Sequence, residues 1–304
     1  MKTALVIGAS GMDGSLISEL LLAEGYKVWG TYFNNKRWAG NIKHDNFYLF
    51  QFDLGKTETM MKEIVSINPH EIYNFGGVTF SPDSERFPQY AMGVNYNAVC
   101  KLMEICLLEN IKLFQASSSE VFGNIKNKEI DENTTRNPHT PYAQAKNQVD
   151  MLMRFHRQQG AKFYTAISFN HECERRGSRF VTQKICSHVK AILNDDAHTL
   201  KLGNIQSRRD WGNARDFVKG FYLQMQGEPS ELVFATGKTH SVEDLLNFAF
   251  EPYEMNWREY VTFDTDLFRV DERNNIYGNY SKAEKLLGWQ PKTELKDLIY
   301  GMTK

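Results

Sequence analysis

Charge of one sign, cysteine chemistry and long apolar runs are all scarce in this sequence. Its 304 residues carry 36 Lys and Arg against 37 Asp and Glu, a formal net charge of −1. The basic residues are dispersed, so no nucleic-acid-binding face is expected. No apolar run approaches the length of a membrane span, so no membrane partner is expected either. The four cysteines, Cys100, Cys106, Cys173 and Cys186, show no C-x-x-C spacing. With no secretion signal they are expected to be reduced thiols in a cytoplasmic protein. The eight histidines form no ligand cluster, so no metal is expected. Internal repeats, low-complexity tracts and linkers are absent as well. What remains is ordinary globular composition in a chain long enough for one large domain or two.

The first half of the chain alternates strand and helix. "TALVIG" is a short apolar run closed by Gly, the pattern of a buried strand. "SLISELLLAEG" places Leu16, Leu20 and Ile17, Leu21 on helical spacing, with Gly25 as its stop. "KVWGTYF" and "FYLFQFDL" read as strands two and three, and "TMMKEIVSINP" as a helix closed by Pro69. "EIYNFGG" is a fourth strand, "YAMGVNYNAVCKLMEICLLEN" one long amphipathic helix, and "KLFQASSSE" a fifth strand. Such alternation predicts an α/β fold of the Rossmann type, a doubly wound parallel sheet with ligands beyond the carboxyl ends of its strands. After about residue 170 the rhythm loosens. "ELVFATG" still reads as a strand, "SVEDLLNFAF" as a Ser-capped helix, and "SKAEKLLGWQPKTELKDLIYGM" as two short helices around a turn. A smaller C-terminal substrate domain interleaved with the first is expected. The boundaries are 1–168 with 210–238 for the dinucleotide-binding domain, and 169–209 with 239–304 for the second.

"GASGMDG" follows the first strand and opens the first helix, with Gly8, Gly11 and Gly14 in G-x-x-G-x-x-G spacing. The chain there must turn tightly, approach a pyrophosphate and present helix N-terminal amides, and glycine suits each task. Gly8, Ser10, Gly11, Met12, Asp13 and Gly14 are therefore cofactor-binding candidates. An acid at the end of the second strand would bind the ribose hydroxyls of NAD, and none is there. Asn34, Lys36 and Arg37 could instead surround a 2′-phosphate, which favours NADP and leaves NAD open. Asp53, with Leu54, ends the third strand as a partner for adenine, and Phe75 and Gly76 would let the backbone pass close to the cofactor.

Tyr142 and Lys146 in "TPYAQAKNQVD" stand four apart, on one face of a helix. Taken alone the pair is as ordinary as any helix start. After a dinucleotide fold and a fifth strand it becomes a candidate base with its tuner. Lys146 would hold the nicotinamide ribose and lower the Tyr142 pKa from about 10, so that Tyr142 removes a proton from a sugar hydroxyl. Ser118 and Ser119 could bond the same hydroxyl.

Together the glycine loop, the Ser-rich strand end and Y-x-x-x-K resemble the extended short-chain dehydrogenase/reductases. "QASSSEVFG", "PYAQAK", "FNHECERRGSRFVTQK", "LGNIQSRRDWGNARDFV", "ATGKTHSVEDLL" and "SKAEKLLGW" narrow the resemblance to the GDP-mannose 4,6-dehydratases over nearly the whole chain. The resemblance implies that Tyr142 is the base at the C4 hydroxyl with Lys146 as its partner, and that Ser118 takes the position of the family's active-site Thr. It implies that Glu120 takes the C5 proton and helps water leave from C6. His171 and Arg176 would line the cofactor. Thr79 and Ser118 would contact the substrate, and Asn170, Lys184, Arg209 and Arg269 would hold the GDP moiety, with Glu272 at its ribose. Two phosphates need cations, and Arg offers a planar bidentate donor set.

Four departures from the family pattern stand out. Ser118 keeps the hydroxyl of the family's Thr without its β-branched restraint. Phe33 and Asn34 replace the family's Arg pair after the second strand, which reopens NAD against NADP. The resemblance implies a homodimer or a homotetramer, and the shorter loop that follows weakens the case for the tetramer. "RVDERN" keeps Arg269 and Glu272 among changed neighbours. This drift suggests a related GDP-sugar as substrate, for example a GDP-manno-heptose. The expected activity is a GDP-sugar 4,6-dehydratase; the alternatives are a GDP-sugar 4-dehydrogenase or 4-reductase that stops after one hydride transfer, and a non-catalytic nucleotide-sugar sensor. Glu120 favours the first, because oxidation needs one base and elimination needs a second proton-transfer group.

Overall fold

In the computed structural model, residues 1–125, 128–196, 199–264 and 275–304 are described. Arg269 and Glu272 lie outside the described residues. Seven strands form one parallel sheet: β1 (Thr3–Ile7), β2 (Lys27–Tyr32), β3 (Phe47–Gln51), β4 (Glu71–Asn74), β5 (Lys112–Ser118), β6 (Phe163–Ser168) and β7 (Glu231–Phe234). Their spatial order is β7, β6, β5, β4, β1, β2, β3, with the chain reversing direction across the sheet at β1 and β4. This is the doubly wound fold read from the sequence, with one strand more than the alternation showed. β6, "FYTAIS", is buried at every position, so it lacks the alternation that would mark a strand with one wet face.

Both faces of the sheet are covered, and the two-residue period of each strand divides its side chains between them. Ala4 and Val6 of β1, Tyr73 of β4 and Phe114 of β5 join one core. That core is closed by α1 (Met12–Ala23) through Leu16, Ile17 and Leu21, and by a helix at Ala214–Gln226 through Phe217, Val218 and Phe221. Leu5, Ile7, Ile72 and Leu113 face the other way. They meet α2 (Thr57–Ile67), α3 (Ala98–Leu108) and α4 (Pro141–Gln158).

The long helix expected at residues 90–110 is interrupted. A turn at Gly93–Asn97 widens into π-helical geometry before α3 begins. Asn95 explains the break: its side chain accepts from the Val78 amide at 2.8 Å and donates to the Val78 carbonyl at 2.9 Å. The helix thus clamps the loop that carries Gly76, Gly77 and Thr79, and such bulges often mark functional sites. β3 also stops earlier than expected, at Gln51. Asp53 then folds back on itself, its Oδ1 accepting from the Gly55 amide at 2.9 Å.

The helix Ala214–Gln226, α6, belongs to the first core, and a third apolar core gathers α5 (Val181–Leu193), α7 (Val242–Phe250) and α8 (Leu295–Thr303). Ile185, Leu245, Leu246 and Ile299 lie fully buried within it. Ser241 caps α7 in a reciprocal box with Asp244, as its sequence predicts. Two short strand pairs bring this part to the sheet's carboxyl edge. Asn170–Glu172 runs parallel to Trp211–Asn213, and Arg208–Arg209 runs antiparallel to His240–Ser241.

Candidate active site

The carboxyl ends of β1, β4, β5 and β6 open onto a cavity of about 600 Å³. Asp13, Phe75, Ser118, Glu120, Tyr142 and Asn170 are among the residues that line it. A neighbouring cavity of about 630 Å³ runs past Ser10, Gly11 and Met12 to Asn35, Arg37 and Trp38. Thr79, Phe80, Arg176, Arg179 and Phe180 border both cavities and form the wall between them. Phe80 packs edge-on against Phe180 at 5.7 Å, and Arg179 holds Asp83 by two bonds of 2.9 and 2.7 Å.

The glycine loop has the shape that its spacing predicts. Gly8 has φ +82°, and a Cβ there would sit 2.9 Å from the Gly76 amide nitrogen. A Cβ on Gly14 would come within 2.2 Å of the Gly8 carbonyl oxygen. Gly11 occupies the N-cap of α1 without any side-chain cap, which leaves the first-turn amides to an outside acceptor. Beyond the loop, Asp13 Oδ2 lies 3.1 Å from His171 Nε2, and His171 Nδ1 lies 2.7 Å from the Phe169 carbonyl. The imidazole stacks on Phe217 at 4.8 Å. Burial opposes protonation of His171, but the Asp13 charge and these hydrogen bonds outweigh it and raise its pKa. Burial likewise opposes ionisation of Asp13, yet His171 and Arg176 bring its pKa below the usual carboxylate value. The contact ties α1 to the Asn170–Glu172 strand, and is an ion pair whenever His171 is protonated.

At the reacting end, Thr140 caps α4 by accepting from the Ala143 amide at 3.1 Å, and Pro141 fills the first turn. This fixes Tyr142 and Lys146 one turn apart, both buried, with the Lys146 nitrogen 5.8 Å from the Tyr142 ring centre. Lys146 donates to the Ala116 carbonyl of β5 at 2.7 Å. Ser118 ends β5, and its hydroxyl accepts from the Glu120 amide at 3.2 Å, so Glu120 stands on a short 3-10 turn, Ser119–Phe122, and not on the strand itself. The expected lowering of the Tyr142 pKa is not what the chain alone produces. Burial first, and then the Glu120 charge, push it well up, while a bond from Ser118 pulls the other way. Lys146 is itself pushed down to about 8 by burial.

The cations expected for a diphosphate are distributed around the same cavity. Lys184 of α5, Arg209 and Arg176 line it, as does Lys201, which the sequence reading passed over. Glu172 was missed too. It is buried, and it holds Arg176 Nε at 2.8 Å and the Thr182 hydroxyl at 2.9 Å. Its letter stood inside "FNHE", but nothing in the spacing separated a strut from a surface acid. In the second-strand loop Asn35 and Arg37 line the second cavity, and Asn34 does not. Neither Asp53 nor Leu54 lines either cavity; Asp53 is engaged in its own turn.

The sequence profile of GDP-mannose 4,6 dehydratases matches residues 5–302. The chain belongs to the GDP-mannose 4,6-dehydratase family. It is 34% identical to "GDP-mannose 4,6 dehydratase 1" of Arabidopsis thaliana over 98% of this chain and 88% of that one. The enzyme of Dictyostelium discoideum is 33% identical over 99% of this chain and 94% of its own. In three dimensions the chain superposes on the Thermotoga maritima UDP-glucose 4-epimerase with a TM-score of 0.87 at 20% identity, covering 99% and 97% of the two chains. The dTDP-glucose 4,6-dehydratase of Bacillus anthracis gives 0.85 at 19% identity, over 100% and 96%. These structural likenesses establish the shared fold, and the family establishes a nucleotide-sugar dehydratase that depends on NAD(P). Among the described residues no helix is long and apolar enough to cross a membrane, and no cluster of metal-ligating side chains occurs.

Proposed function

We propose that this member converts a GDP-manno sugar into its 4-keto-6-deoxy form, and that Ser118, Glu120, Tyr142 and Lys146 carry the chemistry. The observation that supports this best is the meeting of Tyr142 and Glu120 in one cavity that Lys184 and Arg209 also line. One end suits two proton transfers on a sugar ring, and the other suits a diphosphate. Residues 1–168 with 210–238 are assigned to the cofactor, and residues 169–209 with 239–304 to the nucleotide sugar. The glycine loop, the uncapped start of α1 and the Asp13–His171 tie fit a dinucleotide, with Arg37 and Asn35 suited to a 2′-phosphate. Bound there, oxidised NADP supplies a hydride acceptor, a nearby positive charge, and later the hydride that returns to the sugar.

Tyr142 accepts the proton of the C4 hydroxyl as that carbon is oxidised, and Ser118 orients the same oxygen. The Ser118 hydrogen bond and the Arg176 charge oppose the burial that holds Tyr142 as a phenol, and Lys146 stands 5.8 Å from its ring centre. The 4-keto group acidifies C5, and Glu120 takes that proton. The same carboxyl protonates the C6 hydroxyl, which leaves as water; a hydride returns to C6, and the proton that Tyr142 took from the C4 hydroxyl goes to C5, so that Tyr142 and Glu120 end as they began. Each electron pair is accounted for, and no cofactor is consumed.

The changed loop after β2 and the serine at 118 favour a relative of GDP-mannose, such as GDP-manno-heptose, as the substrate. Tyr90, Leu107, Met151 and Phe155 are exposed on helices that pack beside one another. Such a face suits a second copy of the chain, so a homodimer is proposed. The purified protein incubated with GDP-mannose or GDP-manno-heptose tests the function by mass spectrometry. Loss of one water from either supports it; loss of two hydrogens without water favours a 4-dehydrogenase.

A further inference from the structure

Behind the reacting end lies a polar cluster that these roles leave unused. Asp150 is completely buried on α4, one turn beyond Lys146. Its Oδ2 accepts from the Ser117 hydroxyl of β5 at 2.5 Å and from Arg136 Nη1 at 3.0 Å. Its Oδ1 is buried with no hydrogen-bond partner among the described residues. Arg136 reaches onward to Glu231 of β7 at 2.8 Å, and Glu231 also receives Arg154 at 2.5 Å and Arg157 at 3.6 Å. Four elements contribute charges or hydroxyls to the cluster. The loop before α4 contributes Arg136, β7 contributes Glu231, β5 contributes Ser117 and α4 itself contributes Arg154 and Arg157. Tyr142, Glu120 and Arg176 lie on the cavity side.

A buried ammonium with one carbonyl acceptor is costly unless a counter-charge is close. Lys146 is in that position: Ala116 supplies its carbonyl, and Asp150 is the carboxylate whose charge raises its pKa against the burial that lowers it to about 8. Asp150 feels the same burial and rises to about 6, with Arg136 opposing the rise and Glu231 adding to it. Burial thus pushes both groups toward their neutral forms, and the charge of each opposes that push on the other.

We propose that Asp150 is a positioning residue: it supplies the counter-charge that keeps Lys146 cationic beside Tyr142, and through Ser117 it anchors the end of β5 that carries Ser118. The kinetic part of the test rests on the dehydratase reading. In Asp150→Asn the alkaline limb of kcat/KM should move to lower pH by about one unit or more, because an uncompensated Lys146 loses its proton earlier. Asp150→Glu should restore the limb. Ser117→Ala, which removes a bond and no charge, should lower the rate by about tenfold or less and leave the limb in place. A purely structural Asp150 would lower activity equally at all pH values, and an unmoved limb in folded Asp150→Asn overturns the proposal. So does a limb that moves as far in Ser117→Ala. Should Asp150→Asn fail to fold, wild-type protein labelled with 15N-lysine decides by NMR, with Lys146 assigned from Lys146→Met. An ammonium at pH 7 that loses its proton above pH 7 supports the proposal, and a neutral amine at pH 7 overturns it. A wild type inactive on both GDP-sugars would refute the dehydratase reading while leaving this NMR result to judge Asp150.

Discussion

The two ends of the ligand groove are built differently. At the reacting end Tyr142, Lys146 and Asp150 are buried and Ser118 and Glu120 half-buried, and the hydrogen bonds are local and short: Lys146 on Ala116, the Glu120 amide on Ser118, Asp150 on Ser117 and Arg136. At the far end, beyond the glycine loop, residues 33–37 are exposed, and Arg37 sits at a positive φ of 32°. Chemistry requires reacting groups placed to within a fraction of an ångström, so that end tolerates little change. Discrimination between cofactors requires only a few charges near a phosphate, which an exposed loop supplies and can exchange. The sequence departs from the family pattern at residues 33 and 34, at the permissive end, and at the rigid end by Ser118, which keeps the hydroxyl, whereas Tyr142, Lys146 and Glu120 keep the pattern.

Substitutions can test this contrast. Tyr142→Phe removes the base from the rigid end, and turnover should fall by at least about 10²-fold while cofactor binding persists; near-normal turnover would remove Tyr142 from its role. Arg209→Ala should weaken GDP binding by about 1.5–3 kcal/mol, the scale of a charged hydrogen bond, read by calorimetry. An unchanged affinity would take Arg209 out of the nucleotide site.

The Asp13–His171 tie should have a smaller effect with a defined pH window. His171 has a raised pKa in the fold, so its contribution is complete below its unfolded value near 6.5 and is lost as pH rises through the folded value. Asp13 has a lowered pKa, so its contribution is present above its unfolded value near 3.9 and is lost as pH falls through the folded value. His171→Gln should therefore cost about 1 kcal/mol near pH 5–6 and progressively less above, as read by thermal unfolding across that range. A cost that does not vary with pH would mean that packing on Phe217, not charge, is what His171 contributes. The smallest effect belongs to the permissive end. Arg37→Ala should weaken NADP by about 1 kcal/mol or less, as an exposed ion pair does, and leave NAD unchanged. A large loss would show that the exposed loop is as constrained as the catalytic helix.

How much of this was legible in the sequence follows the same division. Gly8, Gly14, Tyr142 and Lys146 could be read because local geometry dictates them: a glycine where a Cβ would strike backbone, and two side chains one helical turn apart. Strand β6 escaped: buried at every position it has no alternation, and unlike β1, β4 and β7 it is not closed by a glycine that marks its end. Glu172 and Asp150 escaped because their partners, Thr182, Ser117 and Arg136, come from segments that only the fold brings together. The pKa of Tyr142 was misjudged for a related reason: Lys146 is visible in Y-x-x-x-K, whereas burial and the approach of Glu120 are tertiary facts.

The most direct test of the dehydratase assignment is the mass spectrum of the GDP-sugar product formed in D₂O by wild type and by Glu120→Gln. Wild type should yield a product that has lost one water and gained a solvent deuteron at C5. Glu120→Gln should yield almost none of it. A wild-type product that has lost two hydrogens, kept its C6 oxygen and gained no deuterium at C5 would contradict the account, and would make the chain a dehydrogenase on the same fold.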